Sequence, residues 1–112
     1  MNQASDPAGL ARMDLTDDQF ETAAELFGVL AAPMRLRIIR SICSAEKNVS
    51  ELLVDVKTTQ PNISQHLNTL YKAGILGKRR SGTQIFYRIV DQRVTNLCRS
   101  VYSQMDVKDK AA

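Results

Sequence analysis

Thr59-Gln60-Pro61-Asn62-Ile63-Ser64-Gln65-His66-Leu67-Asn68-Thr69-Leu70-Tyr71-Lys72-Ala73-Gly74 decides how the rest of this chain is read. Ile63, Leu67 and Leu70 stand at i, i+4 and i+7, the spacing of one buried helix face. Thr58 and Thr59 supply an N-cap, and Pro61 falls in the first turn, where its missing N–H costs little. Gly74 suits the stop just past the C-terminus, so the pattern predicts a helix to about Ala73. With the apolar stripe inward, Gln60, Asn62, Ser64, Gln65 and Asn68 lie toward the other faces. Gln60 and Gln65 can pair with adenine, or reach other base edges through water.

The charge around this helix separates a DNA reader from an ordinary polar surface. Between Asp55 and Asp91 there is no acid, yet the stretch carries Lys57, Lys72, Lys78, Arg79, Arg80 and Arg88. Met1 to Asp55 holds nine acids and five bases, so the net charge of +3 hides a cationic middle beside an acidic N-terminal half. Lys and Arg on one face displace counterions from phosphates. Arg79 and Arg80, in Gly77-Lys78-Arg79-Arg80-Ser81-Gly82-Thr83-Gln84, are expected to meet phosphates or a minor groove, with Lys57 a weaker phosphate contact. The bland alternative for these cations is a solvated hairpin edge guarded against strand pairing.

Upstream, Thr16-Asp17-Asp18-Gln19 has the form of a capping box and starts a helix from about Asp17 to Ala31, with Phe20, Ala23, Ala24, Phe27 and Leu30 on one stripe. Pro33 opens a second helix, about 33–45, expected to bury Leu36, Ile39, Ile42 and Cys43. Asn48-Val49-Ser50-Glu51 caps a short third helix through Val56. Downstream, Ile75 to Arg80 and Gln84 to Val90 read as two strands about the Ser81-Gly82 turn. A last helix, about 91–105, carries Val94, Leu97, Cys98, Val101 and Met105 on one side. The order α-α-α-α-β-β-α, mainly α with a β-hairpin wing, is a winged helix-turn-helix. Residues 1–14 read as a flexible arm, 15–106 as the DNA-binding and dimerisation domain, and 107–112 as a flexible tail.

At 112 residues with 5% aromatics, one domain with a modest core is expected, part of whose stability comes from a partner subunit. No apolar run reaches membrane-spanning length and no signal peptide is legible, so a cytoplasmic protein is expected. There Cys43 and Cys98 would be thiols. No Ser/His/Asp set, Gly-rich phosphate loop or recognisable carboxylate pair supports catalysis, and no cofactor is expected.

Leu26-Phe27-Gly28-Val29-Leu30-Ala31-Ala32-Pro33-Met34-Arg35-Leu36-Arg37-Ile38-Ile39 resembles the entry motif of the ArsR/SmtB winged-helix repressors. Asn48-Val49-Ser50-Glu51-Leu52 followed by Thr59 to Leu67 resembles their helix-turn-helix, and Gly74-Ile75-Leu76 with Ile85-Phe86-Tyr87-Arg88 matches the ends of their wing. The likeness covers about residues 17–105. It implies a homodimer built from the first and last helices, which represses at double-stranded operator DNA until a small inducer acts. It also implies DNA contacts at Gln60, Pro61, Ser64 and Gln65.

The family's metal branches need ligand sets this chain lacks: its third helix holds no cysteine, its last helix no histidine, and the lone His66 has no ligand partner nearby. The two thiols resemble the branch that senses reactive sulfur or oxidants through one cysteine on each of the second and last helices. The match departs in register, since that branch places its first cysteine about a turn earlier, at Arg40 here, and its second near Asp106. Three readings of Cys43 and Cys98 stand: core packing, redox or persulfide sensing, and arsenite binding with a further thiol. Arg40 and Arg99 nearby are expected to lower a thiolate pKa. A rival of another class is a winged helix that binds protein and not DNA.

Overall fold

The computed structural model describes residues 6–108. Its elements are α1 (Asp17–Leu30), α2 (Pro33–Ile42), β1 (Lys47–Asn48), α3 (Val49–Asp55), α4 (Gln60–Lys72), β2 (Leu76–Ser81), β3 (Gln84–Ile89) and α5 (Gln92–Ser103). The winged helix-turn-helix expected from sequence is the fold observed. The proposed arm and tail fall partly on residues 1–5 and 109–112, outside the described residues. Within the arm, Leu10–Arg12 make a single 3-10 turn, held where the Asp6 carboxylate accepts from the Leu10 and Ala11 amides.

Capping chemistry sets the helix boundaries. Thr16 Oγ1 accepts from the Gln19 amide at 3.2 Å while Gln19 Oε1 accepts from the Thr16 amide at 2.9 Å. Asn48 and Glu51 repeat that reciprocal pair at the start of α3. At the end of α4, Ile75 N–H donates to the Leu70 carbonyl and Gly74 N–H to that of Tyr71, a Schellman closure. It needs Gly74 at φ 78°, where a side chain would be strained.

One core unites the helices and the sheet. Ile38, Ile39 and Ile42 of α2 meet Leu52 of α3, Ile63, Leu67 and Leu70 of α4, Leu76 of β2, and Val94 of α5, all essentially removed from solvent. The α4 stripe is buried as its helical period predicts. In α2, Ile39 and Ile42 are buried as expected, but Leu36 is only half-buried and Ile38, outside the expected stripe, is fully buried. On the first and last helical stripes, Phe20, Phe27, Val101 and Met105 stay exposed. The sheet adds a strand that the sequence reading omitted. β1 pairs antiparallel with β3, Lys47 opposite Tyr87 and Asn48 opposite Phe86, so among the described residues the sheet order is β1-β3-β2. Two residues are too short for an alternating pattern; only the β3 edge makes them a strand.

A second difference concerns Cys43. The expected helix to residue 45 stops at Ile42, and Cys43 becomes its C-cap, with its amide bonded to the Ile39 carbonyl. The chain turns out of the helix there, which leaves Cys43 exposed and not in the core. Cys98, on the inner side of α5, is buried as its stripe predicts.

Candidate nucleic-acid interface and thiol site

The helix-turn-helix presents two kinds of polar residue. Gln60, Pro61, Ser64, Gln65 and Asn68 are exposed on α4, while Ile63, Leu67 and Leu70 are buried beneath them. Asn62 differs from these. Its Nδ2 donates to Thr58 Oγ1 at 2.8 Å and its amide to Thr59 Oγ1 at 3.3 Å, so its side chain braces the turn. Lys57 is exposed just before that turn.

The wing is tied to the start of α3 through Asn48 Nδ2, which donates to Gln84 Oε1 at 2.8 Å. Ser50, Gln60, Thr83 and Gln84 thereby border one cleft of about 270 Å³ between the wing and the first turns of α3 and α4, whose floor also takes in Val49, Ile85 and Tyr87. Ser50, Thr83 and Gln84 were absent from the sequence-derived site. The only signal for them was their position beside a cap and a turn, which does not say what the wing folds against.

Arg79 and Arg80 separate here, though sequence could not tell them apart. Arg79 Nε donates to Glu46 Oε1 at 2.8 Å, its other nitrogen also reaches that carboxylate, and its guanidinium lies 4.9 Å from the Phe86 ring centroid. The Arg79 hydrogen bond holds the Glu46 carboxyl below its ordinary range, and Glu46 in turn raises Arg79. Arg80 is exposed with no carboxylate in ion-pair reach among the described residues. Lys78 Nζ sits 4.2 Å from the Tyr71 ring centroid, which binds the wing to the end of α4.

Cys43 and Cys98 line one cavity of about 400 Å³ with Ile39, Arg40, Arg99 and Tyr102. Cys43 also borders a second cavity of about 460 Å³ with Ser44, Glu46, Arg88, Gln92 and Arg99. Burial pushes the Cys43 thiol up, and the nearby Cys98 adds to the shift. This runs against the expectation that Arg40 and Arg99 acidify it: neither guanidinium contributes to the shift of Cys43, and partial loss of hydration and the second thiol both raise it. Burial, then Cys98, also raises the Tyr102 phenol, with Cys43 contributing, so the three groups share one neighbourhood. Among the described residues no group of three or more His, Cys, Asp and Glu is placed to hold a metal ion. No described helix is long and apolar enough to cross a membrane.

The sequence and the fold are similar to those of known proteins. Residues 32–78, from the start of α2 into the wing, match the model of the family described as bacterial regulatory protein, arsR family. The chain is 40% identical over 85 residues to an HTH-type transcriptional regulator of Methanocaldococcus jannaschii, covering 75% of this chain and 96% of that protein. It is 33% identical over 89 residues to the biofilm growth-associated repressor of Xylella fastidiosa, covering 80% and 78% of the two chains. The solved structure of the antimony-specific transcriptional repressor AntR superposes with a TM-score of 0.80 at 30% identity, over 91% of this chain and 93% of that one. These proteins are transcriptional regulators and not enzymes, and with the reading helix and wing in place the chain belongs to the ArsR family, as a DNA-binding transcriptional repressor of the ArsR/SmtB type.

Proposed function

We propose that the protein works as a homodimer whose two α4 helices read an inverted-repeat operator, and that a small inducer acting at Cys43 and Cys98 releases it. The observation that carries the reading is the exposed, acid-free polar face of α4 set directly above the core stripe Ile63-Leu67-Leu70. Gln60, Ser64 and Gln65 reach base edges, with Pro61 and Asn68 beside them, while Arg80 and Lys57 hold phosphates. Asn62 serves by fixing the turn. Two-fold symmetry would place the reading helices about 34 Å apart, one turn of DNA.

The dimer is supported by unpartnered apolar surface. Phe20 is 58% exposed, Phe27 54% and Val101 50%, and Phe27, Leu30, Leu36, Leu97 and Val101 line an apolar groove between α1 and α5. Such a patch on a small chain marks an association face. Cys98 borders both this groove and the thiol cavity. A covalent link from Cys43 to Cys98 therefore pulls the end of α2 against the dimer helix, and a reactive sulfur species or oxidant fits that role better than arsenite, which wants a third thiol.

The test is operator and random-duplex affinity measured together. Gln60→Ala and Ser64→Ala should each cost about 1–3 kcal/mol on operator and little on random duplex. Equal losses on both would remove these residues from base reading. Sedimentation should give a dimer at micromolar protein. Cys43→Ser and Cys98→Ser should each block release by oxidant, and release as in the unmodified protein would end the cysteine reading.

A further inference from the structure

The thiol cavities carry more positive charge than the fold requires. Arg40, Arg88 and Arg99 surround Cys43, and among the described residues none has a carboxylate within ion-pair distance. The one acid lining the same space, Glu46, is hydrogen-bonded to Arg79, and Arg88 acts on it only at longer range. The Arg88 guanidinium lies over its cross-strand partner Gly77, where the absence of a side chain leaves it room: a Cβ there would come within 3.2 Å of the guanidinium carbon. On α5, Thr95 and Arg99 stand one turn apart, roughly opposite Leu97 and Val101, so the cationic trough and the apolar groove lie on different faces of the helix and meet only at Cys98 and Tyr102.

We propose that this trough binds a low-molecular-weight organic anion carrying a disulfide, with its acidic groups on Arg88 and Arg99 and its sulfur–sulfur bond at Cys43. This names the inducer class and rests on Cys43 and Cys98 being the switch. Cys43 is exposed and Cys98 buried, which fixes the order of steps. Cys43 loses its proton to water, and its sulfur attacks one sulfur of the disulfide. A Cys43–ligand disulfide forms as the ligand's own bond breaks, and the first ligand thiolate leaves and takes up a proton. Cys98, deprotonated in turn, attacks the Cys43 sulfur, forms the Cys43–Cys98 disulfide and expels the second ligand thiolate. Two protein thiols are oxidised and one disulfide is reduced to two thiols. Partial loss of hydration at the cavity wall, with Cys98 nearby, holds the Cys43 thiol up although it is exposed, so it is not activated by acidity. Selectivity must come from docking, which raises the local concentration of the reagent beside a sulfur that is strongly nucleophilic once ionised.

The experiment compares glutathione disulfide (anionic), bis(2-hydroxyethyl) disulfide (neutral) and cystamine (cationic). Cys43 modification is followed by mass, and each rate is divided by that of the same reagent on urea-unfolded protein. The full-length folded protein should favour glutathione disulfide by about tenfold or more. Arg88→Gln and Arg99→Gln, both at exposed positions, should each reduce that preference. Unreactive S-methylglutathione should slow the reaction of the unmodified protein with glutathione disulfide and not with the neutral reagent. No charge preference, or one that survives in both variants, overturns the site. DNA binding read on the same samples separates the two levels. Release of DNA by the neutral disulfide without any charge preference leaves the switch standing and removes the anion site. An anion preference without DNA release keeps the site and ends the cysteine switch.

Discussion

Arg35 ties the first helix to the reading helix through His66. Its Nε donates to the Val29 carbonyl near the end of α1 at 2.6 Å, and its Nη1 lies 3.2 Å from His66 Nδ1 on α4. The guanidinium has no acceptor capacity, so the contact is a hydrogen bond only when Nδ1 carries the lone pair. Both side chains are half-buried, which limits the water available to replace either bond. A residue at the start of α2 thus spans from α1, with its exposed apolar side chains, to the polar helix α4.

Arg35→Ala should weaken operator binding more than it weakens the fold. Two hydrogen bonds worth about 1 kcal/mol each are lost, and α4 keeps its buried stripe. Fluorescence anisotropy on operator should show a several-fold loss while thermal unfolding moves little. A loss confined to stability would make the contact a packing detail.

Arg79 and Arg80 should behave differently on DNA. Arg80→Ala should lower the slope of log affinity against log salt by about one, as expected for a lost phosphate contact. Arg79→Ala should change the slope less, because its guanidinium is held by Glu46. Glu46→Gln frees Arg79 and should steepen the slope and tighten binding. Salt titrations on one duplex measure all three, and equal slopes for the two arginine variants would contradict the pairing.

Acid should unfold the protein through its paired carboxylates. Hydrogen bonds from Arg79, Lys47 and Arg93 lower Glu46, Asp55 and Asp91 respectively. A carboxyl whose folded pKa is depressed stabilises the fold above its unfolded pKa, and that contribution is lost as pH falls through the folded value. Stability should therefore be flat near neutrality and fall below about pH 4, where free carboxyls begin to protonate. The effect is small for each pair, since each keeps at least one partner in contact with solvent. Urea midpoints across that range test it, and Asp55→Asn and Glu46→Gln together should flatten the fall.

Leu67→Ala and Phe27→Ala should fail in different ways. Leu67 is fully buried in the core, so its truncation should cost about 2–5 kcal/mol of folding stability. Phe27 is 54% exposed in the single chain, so its loss should spare the protomer and raise the concentration needed for dimer. Unfolding curves and sedimentation equilibrium, run on both variants, distinguish the two.

Most of α4 is legible in the sequence. Ile63, Leu67 and Leu70 lie where a 3.6-residue period puts them, and Thr59 and Gly74 end the helix as their cap chemistry demands. The α1 cap and the hairpin turn follow for the same reason: each depends on residues within a few positions of one another. The site was less legible. That Asn62 braces Thr58 is local, yet on a helix wheel it looks like any other polar residue of that face.

Periodicity and capping by themselves determined the helices, the wing and the buried face of α4, because backbone hydrogen bonds and side-chain spacing are set over one or two turns. Tertiary structure alone decided that Lys47 and Asn48 become a strand, that Arg79 is spent on Glu46 while Arg80 is not, and that Cys43 lies outside the core and next to Cys98. Each of these joins residues about 30 or more positions apart. Such contacts arise from how finished elements pack, and no local pattern encodes which distant partner a strand edge, a guanidinium or a thiol will meet.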